Sequence, residues 1–170
     1  PVATDTVYSD TPAVDCGVRM AQIFVGRKSL VADVYGLKTD KEFVNTLEDN
    51  IRERGAMDKL IGDCAKAEMS IRVKQILRAL CIQDWYSEPY HQNQNFAENR
   101  YGTVKATANK VMNLSGAPAN TWLLAMMYVC LLLNHLASAA LGWQTPEQVL
   151  TGRRPDISKF LNFSFYEPVY

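Results

Sequence analysis

The sequence has no net charge: 18 Lys and Arg balance 18 Asp and Glu over 170 residues. A free-standing nucleic-acid binder usually carries a basic excess. Much of any DNA affinity would therefore come from other segments. Histidine is scarce, at 2, and the 4 cysteines (Cys16, Cys64, Cys81 and Cys130) are scattered, with no Cys-x-x-Cys. This argues against both a zinc site and a disulfide framework, and a reducing cytosolic or nuclear compartment fits. Repeats, low-complexity runs and linkers are also missing. The length fits one domain with a sizeable core.

Charge is absent between Lys110 and Glu147, and residues 121–143 are uncharged throughout. A run of that length is long enough to span a bilayer. Asn134 and His135 sit inside it, however, and both are costly in lipid. Pro118 and Asn120 precede it as helix-start signals. The stretch reads as a buried core or interface helix, with no membrane partner.

What is present reads as an α/β domain. Val2–Ser9 is a strand pattern, and turns are marked at Asp10–Pro12 and Asp15–Gly17. Val18–Val25 and Leu30–Tyr35 are two further strands around a hairpin loop, Gly26–Ser29. Thr39 and Glu42 have capping-box spacing, and the helix they open runs to Gly55. Lys59–Gly62 is a fourth strand, and Cys81–Tyr86 holds a fifth. Helices are expected over Ala65–Leu80 (Ile71, Ile76, Leu77 and Leu80 inward), Phe96–Leu114, Ala119–Ala140 and Pro146–Leu150. Ser87–Asn95 is a polar loop.

Three acids stand out, each with a plain structural alternative. Asp5 lies mid-strand on the face of Ala3 and Val7; a carboxylate there needs a partner or a metal unless that face is wet. Asp10 competes with it, but Ser9-Asp-Thr-Pro12 reads as a turn in which Asp caps its own backbone. Asp63 closes the fourth strand and precedes a helix, so it suits an N-cap as well as a metal. Glu98 follows Asn95 at capping-box spacing, and a helix start favours an acid in any case. Before it runs His91-Gln-Asn-Gln-Asn95, a poor core segment suited to touching phosphates and bases. Lys105 lies two turns beyond Glu98 on the same helix face, within reach of a phosphate; Arg100 and Lys110 are weaker versions of the same idea. His91, Gln92 and Asn95 fit DNA contacts or ordinary loop residues.

The wording around these acids is similar to the integrase catalytic cores of long-terminal-repeat retroelements, closest to the copia-like branch. The resemblance rests on Thr4-Asp5-Thr6, on Ile61-Gly62-Asp63, and on Glu98 with 34 residues between it and Asp63. It rests also on the ending Trp122…Asn134…Leu141-Gly142…Thr145-Pro146…Leu150…Gly152-Arg-Arg-Pro155. It covers roughly residues 2–155. Cys64 and Ala65 depart from the small or amide residue and glycine that the family often places after its second Asp.

The resemblance implies an RNase H-like fold: a five-stranded mixed sheet, three antiparallel strands followed by parallel ones, flanked by helices. It implies residues 1–155 as catalytic core and 156–170 as its C-terminal extension. Asp5, Asp63 and Glu98 would hold two Mg²⁺ (or Mn²⁺) ions, and the chain would process 3′ ends of element cDNA and join them to target DNA. Lys105, Arg100, His91, Gln92 and Asn95 would contact that DNA. A homo-oligomer is implied, built on the Ala119–Ala140 and Thr39–Arg54 helices, with a setting in the nucleus or a cytoplasmic retroelement particle. Since the chain opens on Pro1 and shows no signal peptide, a piece of a longer polyprotein is expected. The rival readings are a decayed module that only binds DNA or dimerises, and an RNase H-like nuclease acting on RNA–DNA hybrids.

Overall fold

A computed structural model describes the chain except residues 63–69, 87–95, 161, 163 and 169–170. Five strands form one sheet: β1 (Val2–Tyr8), β2 (Met20–Gly26), β3 (Ala32–Leu37), β4 (Lys59–Gly62) and β5 (Gln83–Tyr86), in the order β3-β2-β1-β4-β5. β1 pairs antiparallel with β2, and β2 with β3. β4 lies parallel to β1, with Ala3 beside Ile61, and β5 parallel to β4. This is the five-stranded mixed sheet the sequence leads one to expect.

Helices cover both faces. On one, α1 (Phe43–Arg54) and α2 (Ile71–Ala79) bury Phe43, Leu47, Val73 and Leu77 against Phe24 and Leu60. On the other, α3 (Phe96–Ser115) and α4 (Trp122–His135) bury Val104, Ala108, Leu123 and Val129 against Ala3, Val7, Ile23 and Val34. The sheet alternation does the sorting: odd residues of β1 face α3 and α4, even ones face α1 and α2. A short α5 (Pro146–Thr151) follows; the Thr145 hydroxyl accepts the Gln148 N–H at 3.0 Å, as an N-cap should.

Several boundaries differ from expectation, each for a local reason. Leu30 has φ 60°, which no strand residue adopts, so β3 begins at Ala32. Ser70 is extended and its hydroxyl accepts the Val73 N–H, so α2 starts at Ile71 rather than Ala65. Ile71 and Leu80 are then exposed, and Val73 and Leu77 face inward. Thr39 makes no side-chain cap; the Glu42 carboxylate instead accepts the Lys38 N–H at 2.8 Å, and α1 begins at Phe43. α4 stops at His135 because Leu136 is extended and Ser138 bridges Gln144. Gly55 closes α1 as expected, at φ 86°. Gly36 is required by packing: a Cβ there would come within 3.0 Å of Leu123 Cδ2, so α4 could not lie as close to β3.

Two polar networks lock these layers. Asn134 of α4 is 1% exposed, and its side chain accepts the Ala32 N–H and donates to the Ala32 carbonyl, both at 2.9 Å. On the opposite face of the sheet, the Thr6 hydroxyl donates to Gln22 Oε1, and Gln22 Nε2 donates to the Thr4 hydroxyl, which donates to the Ile23 carbonyl. Buried polar groups are tolerated only when satisfied in this way.

Candidate active site

Asp5 sits in the middle of β1, opposite Ile23. It is half-buried on the face that receives α3, and its Oδ1 accepts the Thr6 N–H at 2.9 Å. The Thr4–Gln22–Thr6 bonds on the far face pin the same stretch of β1, so the register that sets Asp5 is held from behind. Asp10 is exposed, and the turn around it is bonded by the Ser9 hydroxyl, to the N–H and carbonyl of Thr11, rather than by Asp10.

Glu98 lies in the first turn of α3, exposed, beside the buried Ala97 that anchors this turn to the core. Asp5 and Glu98 therefore belong to the same side of the sheet. Asp63 lies outside the described residues, as do His91, Gln92 and Asn95. Among the described residues no three His, Cys, Asp or Glu side chains converge in a way that could hold a metal. The donor set proposed from sequence is all carboxylate oxygen, which suits hard cations such as Mg²⁺ or Mn²⁺. Two of its three members, Asp5 and Glu98, are among the described residues, in β1 and at the start of α3.

Lys105 follows Glu98 by seven residues and is exposed, with Nζ 5.8 Å from the centre of the Tyr101 ring. Lys105 and Tyr101 border a small cleft against Tyr8 and Ser9 at the end of β1. Arg100 is set apart from them. At about 100° per residue, Arg100 and Lys105 point about 140° apart around α3. Arg100 turns to the β2–β3 hairpin, where Nη2 donates to the Leu30 carbonyl at 3.3 Å. The buried stripe Ala97–Val104–Ala108 runs between the two cations, which therefore lie on opposite flanks of α3.

Residues that sequence reasoning missed lie mainly in support. Arg54 forks Asp33, with Nε to Oδ2 at 2.9 Å and Nη2 to Oδ1 at 2.7 Å, and reaches Glu147 at 3.0 Å. This ties α1, β3 and α5 together. No sequence spacing signals it, since the three residues come from separate elements. The cavity beside it, about 360 Å³ and lined by Val2, Phe24, Met57 and Leu150 among others, lies at the starting ends of β1 and β4 and is lined by neither Asp5 nor Glu98.

Solved structures share this architecture. A chain of the simian T-cell lymphotropic virus intasome, solved with PP2A regulatory subunit B56 gamma, superposes with a TM-score of 0.73 at 17% identity, over 92% of this chain and 56% of that one. The HTLV-2 integrase catalytic core domain, a dimeric form in complex with magnesium, gives 0.68 at 16% identity, over 89% and 94%. The BIV integrase catalytic core domain gives 0.64 at 12% identity, over 89% and 93%.

The chain has the fold of a retroviral integrase catalytic core.

It spans about half the length of the intasome chain but nearly all of the isolated core domains. No protein-family model and no curated protein matches the sequence. Among the described residues no helix is long and apolar enough to cross a membrane.

Proposed function

We propose that this chain is a metal-dependent polynucleotidyl transferase that trims the 3′ ends of retroelement cDNA and joins them to target DNA. The observation that carries the reading is positional: within an integrase-core fold, Asp5 stands mid-β1 and Glu98 in the first turn of α3, on the same side of the sheet. Counting two residues on from each member of the Ala3–Ile61 pair reaches Asp5 on one strand and Asp63 in the chain leaving the other. Ligands of open α/β sheets collect at this end of the parallel strands.

Asp5 and Asp63 would hold one Mg²⁺ or Mn²⁺, and Asp5 with Glu98 a second. When bound, such ions neutralise phosphate charge and clamp the attacking and leaving oxygens. The chain's own residues do the positioning. Thr6 N–H orients the Asp5 carboxylate through its Oδ1. Glu98, exposed at the start of α3, meets a substrate too long for an enclosed pocket. Lys105, two turns on, offers a cation to a neighbouring phosphate. In the first step a water oxygen bonds to phosphorus and the P–O bond to the 3′-oxygen of the retained strand breaks; that oxygen takes up a proton and the departing nucleotides carry the phosphate away at their 5′ end. In the second the freed 3′-hydroxyl attacks a target phosphodiester in line, and the displaced 3′-oxygen leaves with a proton. No covalent protein intermediate is needed.

DNA is the proposed partner, together with a second copy of the chain, and the setting is the nucleus or a retroelement particle. Residues 1–155 are the proposed core and 156–170 its extension, of which Phe160 and Phe165 pack on His135 and Tyr128 of α4. The test is strand transfer of labelled duplex ends by a polyprotein fragment that includes this chain. Product with Mg²⁺ or Mn²⁺, lost in Asp63→Asn, supports the reading. DNA binding without product under any metal supports a decayed binding module, and cleavage confined to RNA–DNA hybrids supports a nuclease.

A further inference from the structure

We infer that the β2–β3 hairpin and the start of α3 form a second phosphate-binding site, in which Arg27 and Arg100 grip one backbone phosphate of a nucleic acid. The inference rests on the nucleic-acid reading above but uses none of its three acids. A cleft of about 310 Å³ lies between the two elements, walled by Arg27, Phe96, Asn99, Arg100 and Thr103. Among the described residues its lining carries two guanidinium groups and no carboxylate. Arg27 is exposed and sits 6.0 Å from the centre of the Phe96 ring, so the ring supports the guanidinium without neutralising it.

Arg100 is the more telling residue. Its Nη2 has the Leu30 carbonyl, but its Nε is buried and meets no acceptor among the described residues. Burial works against its charge, which favours binding of an anion that restores it. A guanidinium whose N–H is buried and unmet is costly, and an oxygen anion entering the cleft supplies the missing acceptor. Two planar forks facing one space match the several oxygens of a phosphate. The Asn99 amide, also on the lining, adds a neutral donor. Thr103 is only a wall, because its hydroxyl proton goes to the Asn99 carbonyl.

The position of the cleft selects a polymer rather than a lone anion. Arg100 is two residues from Glu98, on the opposite flank of α3 from Lys105. A strand crossing the start of the helix would meet Lys105 on one side and this cleft on the other. The Arg100–Leu30 bond makes the hairpin part of the site, and Leu30 holds φ 60° to present that carbonyl.

The experiment is fluorescence anisotropy of the full 170-residue chain with a short labelled duplex, without divalent metal, over a range of salt. Arg27→Gln and Arg100→Gln should each weaken binding several-fold and flatten the slope of log K against log salt by about 0.9, the effect of losing one phosphate contact. Because both arginines hold the same phosphate, the double variant should flatten it by about 0.9 as well, not about 1.8. Arg27 makes no side-chain hydrogen bond among the described residues, so Arg27→Gln remains a fair test if Arg100→Gln disturbs the hairpin. Lys28→Gln, on the same hairpin but outside the cleft, should leave the slope unchanged. Unaltered slopes in both arginine variants, an equal loss in Lys28→Gln, or an additive double variant would each overturn the shared site. Titration with inorganic phosphate, followed by the Arg100 Nε resonance, separates the sources. A phosphate-induced shift together with unaltered DNA slopes means a free-anion site and overturns the claim for nucleic acid. If the unaltered chain does not bind DNA at all, this inference falls, while the reading beneath it is decided separately by strand transfer with the longer fragment.

Discussion

Asn134 completes the outer edge of β3: its side-chain amide makes a two-point pair with the backbone of Ala32, at 2.9 Å in both directions. It does for α4 what a neighbouring strand would do, and it satisfies an edge that would otherwise be unpaired. Replacing it with Ala leaves a buried N–H and a buried carbonyl unmet. Each such group costs about 1–3 kcal/mol, so Asn134→Ala should lose about 2–4 kcal/mol in urea unfolding. A loss below about 0.5 kcal/mol, the range of a surface substitution, would contradict this role.

Arg54 holds two acids from different elements, Asp33 and Glu147, and both it and Asp33 are largely buried, at 19% and 13% side-chain exposure. Arg54→Met should cost about 3 kcal/mol near neutral pH, because it strands a desolvated carboxylate. Burial already pushes the Asp33 carboxyl up, and only Arg54 pulls it down. With Arg54 gone the folded pKa stays above the unfolded one. The penalty is then absent below the unfolded pKa and accrues as pH rises through the folded value. Chemical denaturation of parent and variant across acid pH checks the sign: the gap between them should narrow as pH falls.

Cys130 is 3% exposed, and burial pushes its thiol up to about 12. Cys16 and Cys81 are exposed. Since the thiolate is the reactive form, iodoacetamide at mild alkaline pH should modify Cys16 and Cys81 in the folded chain and reach Cys130 only in denaturant. Mass spectrometry of the digested chain reads this out. Labelling of Cys130 at the rate of the exposed pair would mean that α4 does not pack as described.

α4 keeps one apolar stripe outward, Leu124, Met127 and Leu131, at 38%, 45% and 38% exposure. Its flank at Tyr128 and His135 is covered by Phe165 and Phe160. A second copy of the chain is the proposed cover for the stripe, and a two-fold interface would repeat it on both partners. α1 adds charge rather than apolar surface at Asp49, Arg52 and Glu53. Sedimentation equilibrium should give a dimer that Met127→Glu converts to monomer. A monomer at high concentration, unchanged by the substitution, would count against it.

Much of the fold was legible because the short apolar runs of β1 to β3 and the helical spacing of Phe43, Leu47 and Ile51 in α1 agree with the layers they join. The boundaries were less so. Leu30 in the left-handed region and the Glu42–Lys38 bond are decided by local backbone geometry that residue types only suggest. The division between Arg100 and Lys105 was hidden because spacing places residues around a helix but does not say which stripe is buried. Asn134 was readable as a satisfied polar residue, but not its partner, 102 positions away. Of the proposed acids, Asp5 was recognised through its neighbours Thr4 and Thr6, and Glu98 through the 34 residues between it and Asp63, rather than through any composition or period.

The central claim is that Asp5, Asp63 and Glu98 hold divalent metal, and calorimetric titration of Mn²⁺ into the chain, alone and with duplex DNA, tests it most directly. The account predicts saturable binding that tightens with DNA. Asp5→Asn, which touches both proposed ions, should lose most of it; Asp63→Asn and Glu98→Gln should each lose part. Mn²⁺ binding that is absent, or that all three substitutions leave unchanged, would contradict it.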